Sequence, residues 1–168
     1  MARIYISLGT NIDRARNTRS GLDALHDHFG ALTCSRLYES EAVGFQGNPF
    51  YNMVIAADTE QSIAQVVQCL KRIEQDNGRV RGEKKFAPRT LDLDLLLYDD
   101  IVCQEPVVLP REEICFNAFV LLPLAEIAPE RVHPVNQTSY ADLWSAYTTP
   151  QRLWPIDFTW RGSEHDPV

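Results

Sequence analysis

"LDLDLLLY", Leu91–Tyr98, is the stretch on which the fold turns. Leu91, Leu93 and Leu95 alternate with Asp92 and Asp94, so a β-strand would send the leucines to one face and both carboxylates to the other. Ala2, Ile4, Ile6 and Leu8 alternate in the same way with Arg3, Tyr5 and Ser7, and Gly9-Thr10-Asn11 closes that first strand. A helix follows, capped by Asn11 or Asp13, lined by Leu22, Leu25 and Phe29 and stopped at Gly30; Gly21 inside it carries a modest cost. "ALTCSRLYES" (31–40) reads as a second strand, "GFQGNP" (44–49) as a loop, and the almost wholly apolar "FYNMVIAA" (50–57) as a central strand. Ser62 to Gln65 fits a capping box, opening a helix with Ile63, Val66, Val67, Leu70 and Ile73 on one side and Asn77-Gly78 at its end. With Leu91–Tyr98 as the sixth element, the order is strand, helix, strand, strand, helix, strand. That order predicts an α+β, ferredoxin-like antiparallel sheet with helices on one face, plus C-terminal additions. "DDIVCQEPVVLP" (99–110) suggests a further strand or hairpin. "FNAFVLLPLAEIAPE" (116–130) suggests a helix that Pro123 kinks or opens. From 133 to 168 the pattern fades into loop and one short helix.

The 168 residues, 45% hydrophobic, suit one domain with a sizeable core. A net charge of −7 argues against nucleic acid and anionic membranes as partners. The charge is uneven: Lys71, Arg72, Arg79, Arg81, Lys84, Lys85 and Arg89 stand against three acids between 71 and 89. A cationic patch on an acidic chain points to a small anionic ligand. Cys34, Cys69, Cys103 and Cys115 have neither C-x-x-C nor zinc-finger spacing, which predicts reduced thiols. The N-terminus enters a strand at once, and the longest apolar run, "AFVLLPLA", is too short to span a bilayer. A cytoplasmic protein is expected.

On a strand, Asp92 and Asp94 leave one face with Cα atoms about 6.6 Å apart. Two aspartates there repel unless something neutralises them, and magnesium completed by phosphate oxygens suits the pair. D-x-D alone is more often an exposed strand face. The loop just before it changes the weighing, because Arg79, Arg81 and Arg89 supply planar forks for phosphate. No P-loop, no G-x-G-x-x-G, no nucleophile elbow and no histidine cluster is present. Asn52, inside an apolar strand, needs partners for its amide. Phe50 and Phe119, taken alone, read as core packing.

"GRVRGEKKFAPRTLDLDLLLY", with "YISLGTN", "YNMV", "RIEQDNGRVR" and "FVLLPLAEIAPE", resembles the 6-hydroxymethyl-7,8-dihydropterin pyrophosphokinase family of folate biosynthesis over residues 2–132. The resemblance implies transfer of the terminal diphosphate of ATP to a reduced pterin, with release of AMP. It implies two magnesium ions on Asp92 and Asp94, phosphate contacts from Arg79 and Arg89, Arg81 closing with a loop, and Glu74 assisting the nucleotide. It implies a pterin hydrogen-bonded to Asn52, stacked between Phe50 and Phe119, rimmed by Ser40 and Gly44 and covered by Phe86. A monomer is expected. Arg111 and Asn117 depart from the family pattern of a histidine after the proline and a later arginine. Arg111 is expected to restore phosphate contact, with Glu112 and Glu113 opposing it. The departures also support a second reading, a pterin-binding relative with weak or altered transfer. A small RNA-binding domain is a third, against which the charge speaks.

Overall fold

The computed structural model describes residues 1–41, 49–78 and 91–161. Its elements are β1 (Ala2–Thr10), α1 (Arg14–Phe29), β2 (Thr33–Cys34), β3 (Leu37–Ser40), β4 (Phe50–Thr59), α2 (Ile63–Gly78), β5 (Asp92–Tyr98), a 3-10 turn (Glu112–Cys115), α3 (Ala118–Ile127), α4 (Tyr140–Ala146) and β6 (Leu153–Ile156). The strands pair antiparallel in the order β5-β1-β4-β3-β6, with β2 also on β4.

The alternation of β1 and β5 sorts the core into two layers. Ile4, Ile6, Leu8, Leu91, Leu93 and Leu95 face Leu22, Leu25, Val66, Leu70 and Ile73 of α1 and α2. Tyr5, Val54, Ala56, Leu96 and Leu97 face Val120, Leu121 and Leu124 of α3 and Tyr140 of α4. Helices on one face alone is therefore corrected. Tyr5, Val54 and Ala56 are too apolar to be left in water, and α3, apolar nearly all round, covers them. A bulge helps: Ile6 lies opposite Leu95 and Tyr5 opposite Leu97, so Leu96 is extra and β5 turns Leu96 and Leu97 into the second layer.

Local signals were followed closely. Ser62 N donates to Gln65 Oε1 (2.8 Å) and Gln65 N to Ser62 Oγ (3.2 Å), a complete capping box. Gly30 ends α1 at φ 79° with its N–H on His26 O. Asp13 sits at the N-cap of α1 but makes no side-chain cap bond. A Cβ on Gly21 would come within 3.1 Å of Leu91 and 3.2 Å of Leu8, so this glycine lets α1 lie tight against the strands.

Three expectations are revised. The second strand breaks into β2 and β3 at Ser35, whose N–H donates to Val54 O while its Oγ accepts from Val54 N. Among the described residues, 99–110 forms only the Cys103–Leu109 bridge, between segments broken by Pro106 and Pro110. The tail holds the expected short helix, α4, and also β6, which extends the sheet beside β3. Trp160 is buried against α1, its Nε1 donating to Asp23 Oδ1 at 2.8 Å. The four cysteines are unpaired thiols, and no described helix is long and apolar enough to cross a membrane.

Candidate active site

Strand register assembles the site. Gly9 of β1 lies opposite Asp92 on one side and Asn52 on the other, and Ser7 lies opposite Asp94 and Val54. Residues directly opposite one another share a sheet face. Asp92 and Asn52 therefore flank a position with no side chain between them. A Cβ on Gly9 would come within 3.0 Å of Asn52 Oδ1. The glycine leaves a trough from the carboxylates at the sheet edge to the amide at its centre.

The trough is a cavity of about 390 Å³, within the usual size for a small-molecule site. Asp92 and Asp94 line one end, and Ser40, Phe50 and Asn52 the other. Glu113, Asn117 and Phe119 reach over it from the 3-10 turn and the start of α3, and Gln151 closes it from the tail. Asn52 is buried and donates from Nδ2 to the buried Ser40 Oγ at 3.3 Å. Ser40, Phe50, Asn52, Asp92, Asp94 and Phe119 are thus brought together as the sequence predicted. Gly44, Arg79, Arg81, Phe86 and Arg89 lie outside the described residues.

Glu74 of α2 accepts the backbone N–H of Leu93 at 2.8 Å. That bond satisfies an N–H on the outer side of edge strand β5, between the two aspartates, and ties α2 to the strand that bears them. Arg111 is held at both ends. Its backbone N donates to Leu96 O (3.0 Å), its Nε to Glu113 Oε1 (2.9 Å), and a second nitrogen lies 3.5 Å from Asp94 Oδ1. Asn117 Nδ2 donates to the other oxygen of Glu113 at 3.2 Å. Glu113 is therefore the hub of this arm, and its opposition to Arg111 takes the form of a direct ion pair.

Behind the arm, Cys115 Sγ lies 3.7 Å from His133 Nε2. His133 Nδ1 accepts from the backbone N–H of Val135 and Asn136, which leaves the proton on Nε2. Burial lowers the His133 pKa and raises that of Cys115, so both stay uncharged near neutrality. On the sheet side, burial and the adjacent Glu126 carboxylate, 2.5 Å away, push the Tyr38 hydroxyl up to about 12, and this pair ties α3 to β3.

Among the described residues no group of three His, Cys, Asp or Glu gathers for a metal. The pair of aspartates is a two-carboxylate site that would need water and substrate oxygens to complete a shell, the pattern magnesium accepts. Gly9, Glu113 and Gln151 were not foreseen as site residues. Gly9 could have been found from its place at the end of a strand facing D-x-D. Gln151 could not, since its approach depends on β6.

The family model described as 7,8-dihydro-6-hydroxymethylpterin-pyrophosphokinase matches residues 5–129. The chain is 36% identical over 142 residues to the 2-amino-4-hydroxy-6-hydroxymethyldihydropteridine pyrophosphokinase of Haemophilus influenzae, covering 82% of this chain and 88% of that protein. It is 36% identical over 133 residues to the protein of the same name from Pseudomonas aeruginosa, covering 76% and 82%. The crystal structure of wild-type Plasmodium falciparum HPPK-DHPS shares the fold, with a TM-score of 0.70 at 14% identity, covering 87% of this chain and 44% of that one.

Proposed function

The chain belongs to the 7,8-dihydro-6-hydroxymethylpterin-pyrophosphokinase family, and we infer that it transfers the terminal diphosphate of ATP to 6-hydroxymethyl-7,8-dihydropterin in folate biosynthesis, releasing AMP. The observation that carries this reading is the register around Gly9, which sets a carboxylate pair and a buried amide on one cavity floor. A charged ligand end and a neutral heterocyclic end fit that floor together.

The oxygen of the pterin hydroxymethyl group attacks the β-phosphorus of ATP and gives its proton to solvent, the bond from that phosphorus to the α-phosphate oxygen breaks, and AMP carries the freed oxygen away. Asp92 and Asp94 would hold magnesium, which would offset phosphate charge. Phe50 and Phe119 grip the heterocycle and Asn52 reads its edge, with Ser40 fixing the amide. Arg79, Arg81 and Arg89 engage phosphate oxygens, Gly44 rims the pterin and Phe86 covers it. Arg111 adds a phosphate contact when it exchanges Glu113 for the nucleotide. Glu74 serves the nucleotide indirectly, by holding β5 in place.

The strand order β5-β1-β4-β3 supports a ferredoxin-like reading of the sheet, with α3, α4 and β6 as additions. A cytoplasmic monomer with no nucleic-acid or membrane partner is in keeping with the net charge of −7. The pterin-binding relative without efficient transfer is not favoured, because the curated relatives are named as pyrophosphokinases over most of the chain. The test is product analysis after incubation with magnesium, ATP and 6-hydroxymethyl-7,8-dihydropterin. AMP and the pterin diphosphate in equal amounts are expected. ADP, or no product from folded protein that binds the pterin, would overturn the reading.

A further inference from the structure

Gln151 lies beyond residues 5–129, in the tail, yet it lines the cavity with Asn52, Phe50 and Phe119. Two contacts bring it there. Glu41 N donates to Arg152 O at 2.9 Å, and Ser40 pairs with Leu153, so the chain before β6 runs beside the neutral end of the trough. Gln151 Oε1 then takes the backbone N–H of Ala118 at 2.5 Å, the first residue of α3.

That last bond fixes the amide. An N–H can be given only to the oxygen, so the amide cannot be turned over. The Tyr147 hydroxyl, 3.0 Å from the same oxygen and 2.6 Å from Phe116 O, adds a second neighbour on that side. Gln151 Nε2, with two N–H donors, has no partner among the described residues, although the side chain is only partly exposed. The N–H of Ala118 needs only an accepting oxygen. What glutamine adds is a donor at a cavity wall.

We propose that Gln151 is a substrate-binding residue that donates from Nε2 to the ring carbonyl of the heterocycle held at Asn52. The proposal rests on the pterin reading given above. Asn52 gives one N–H of its Nδ2 to Ser40 and keeps its Oδ1, over Gly9, as an acceptor. Asn52 and Gln151 together offer an acceptor and a donor to one planar ligand. A pterin edge, with an exocyclic amino group and a ring carbonyl, has the complementary pair. The tail is then a wall of the binding site, and it reads the oxo group.

Q151E tests this, because glutamate keeps the oxygen that accepts from Ala118 N–H and sets a charged acceptor where the donor was. Calorimetry would compare 6-hydroxymethylpterin with the 2,4-diamino analogue, in which an amino donor replaces the ring carbonyl. Wild type is expected to prefer the oxo compound. Q151E is expected to bind it about tenfold more weakly and to bind the diamino compound at least as well as wild type does, with a melting temperature no lower than that of wild type. An oxo-to-diamino ratio equal to that of wild type would overturn the proposal and leave Gln151 as a cap of α3. Wild type that binds neither pteridine would overturn the pterin reading itself, and the role of Gln151 with it.

Discussion

The two ends of the cavity are built on opposite principles. At the centre of the sheet, Asn52 and Ser40 are buried, uncharged and bonded to each other, on strands paired on both sides. At its edge, Asp92 and Asp94 stand half-buried on the outermost strand, with Arg111 and Glu113 beside them. A buried neutral amide in a fixed frame suits a ligand read by shape and hydrogen bonds, which cost little to desolvate when matched. Partly exposed carboxylates suit a ligand whose charge must be balanced, since burying them outright would cost more than the pairing returns. The division teaches that one sheet face can serve both needs if depth in the sheet separates them.

The largest effect should come from the edge. Asp92→Ala or Asp94→Ala is expected to cut transfer by about a thousandfold or more, while pterin binding largely survives. Steady-state rates paired with calorimetry would check this; near-normal turnover from either variant would break the comparison at once. Asn52→Ala should do the reverse. It should weaken pterin binding by about 1–3 kcal/mol and leave ATP affinity without pterin unmoved. Equal losses for both ligands would make Asn52 a structural residue.

Arg111 sharpens the comparison at the edge. It pairs with Glu113 and Asp94, so contact with a phosphate has to compete with two carboxylates. Glu113→Gln is expected to release it and tighten ATP by about 0.5–1 kcal/mol, the scale of a partly exposed ion pair. Arg111→Ala should weaken ATP by about 1.5–3 kcal/mol. Unchanged ATP titrations in both variants would leave Arg111 as a strut for the 3-10 turn.

The smallest effect is a pH dependence behind that arm. Burial depresses the His133 pKa from its ordinary 6.5. Above 6.5 the folded and unfolded chains are both neutral there, and stability is full. As pH falls below 6.5 the unfolded chain takes the proton first, so stability drops until the folded pKa is reached and then levels. His133→Asn keeps an acceptor for Val135 and Asn136 and removes the titration. Its denaturant midpoint should vary less between pH 7 and 5 than that of wild type.

The sheet centre was more legible in the sequence than its margins. Alternation marked β1 and β5, an almost unbroken apolar run marked β4, which is buried on both faces, and Ser62 and Gly30 set helix ends through local bonds. Asp92, Asp94 and Asn52 stood out as polar groups in apolar strands. β6 was missed because Pro155 in "LWPI" reads against a strand, and an edge strand tolerates it. The second helical layer was missed because α3 lacks a polar face by which periodicity could orient it. Gln151 enters the site through a long-range bond to Ala118 that no local pattern encodes, and Glu113 lines it beside its near neighbour Arg111 because the 3-10 turn is carried against β5 by the bond from Arg111 N to Leu96 O.

The assignment of charge to the edge can be tested by manganese binding. Paramagnetic titration of Mn(II) in the presence of ATP would follow wild type, Asp94→Asn and Asn52→Ala. The expected result is tight Mn(II) binding in wild type and Asn52→Ala, and a loss of about tenfold or more in Asp94→Asn. Equal affinity in Asp94→Asn and wild type would contradict the account.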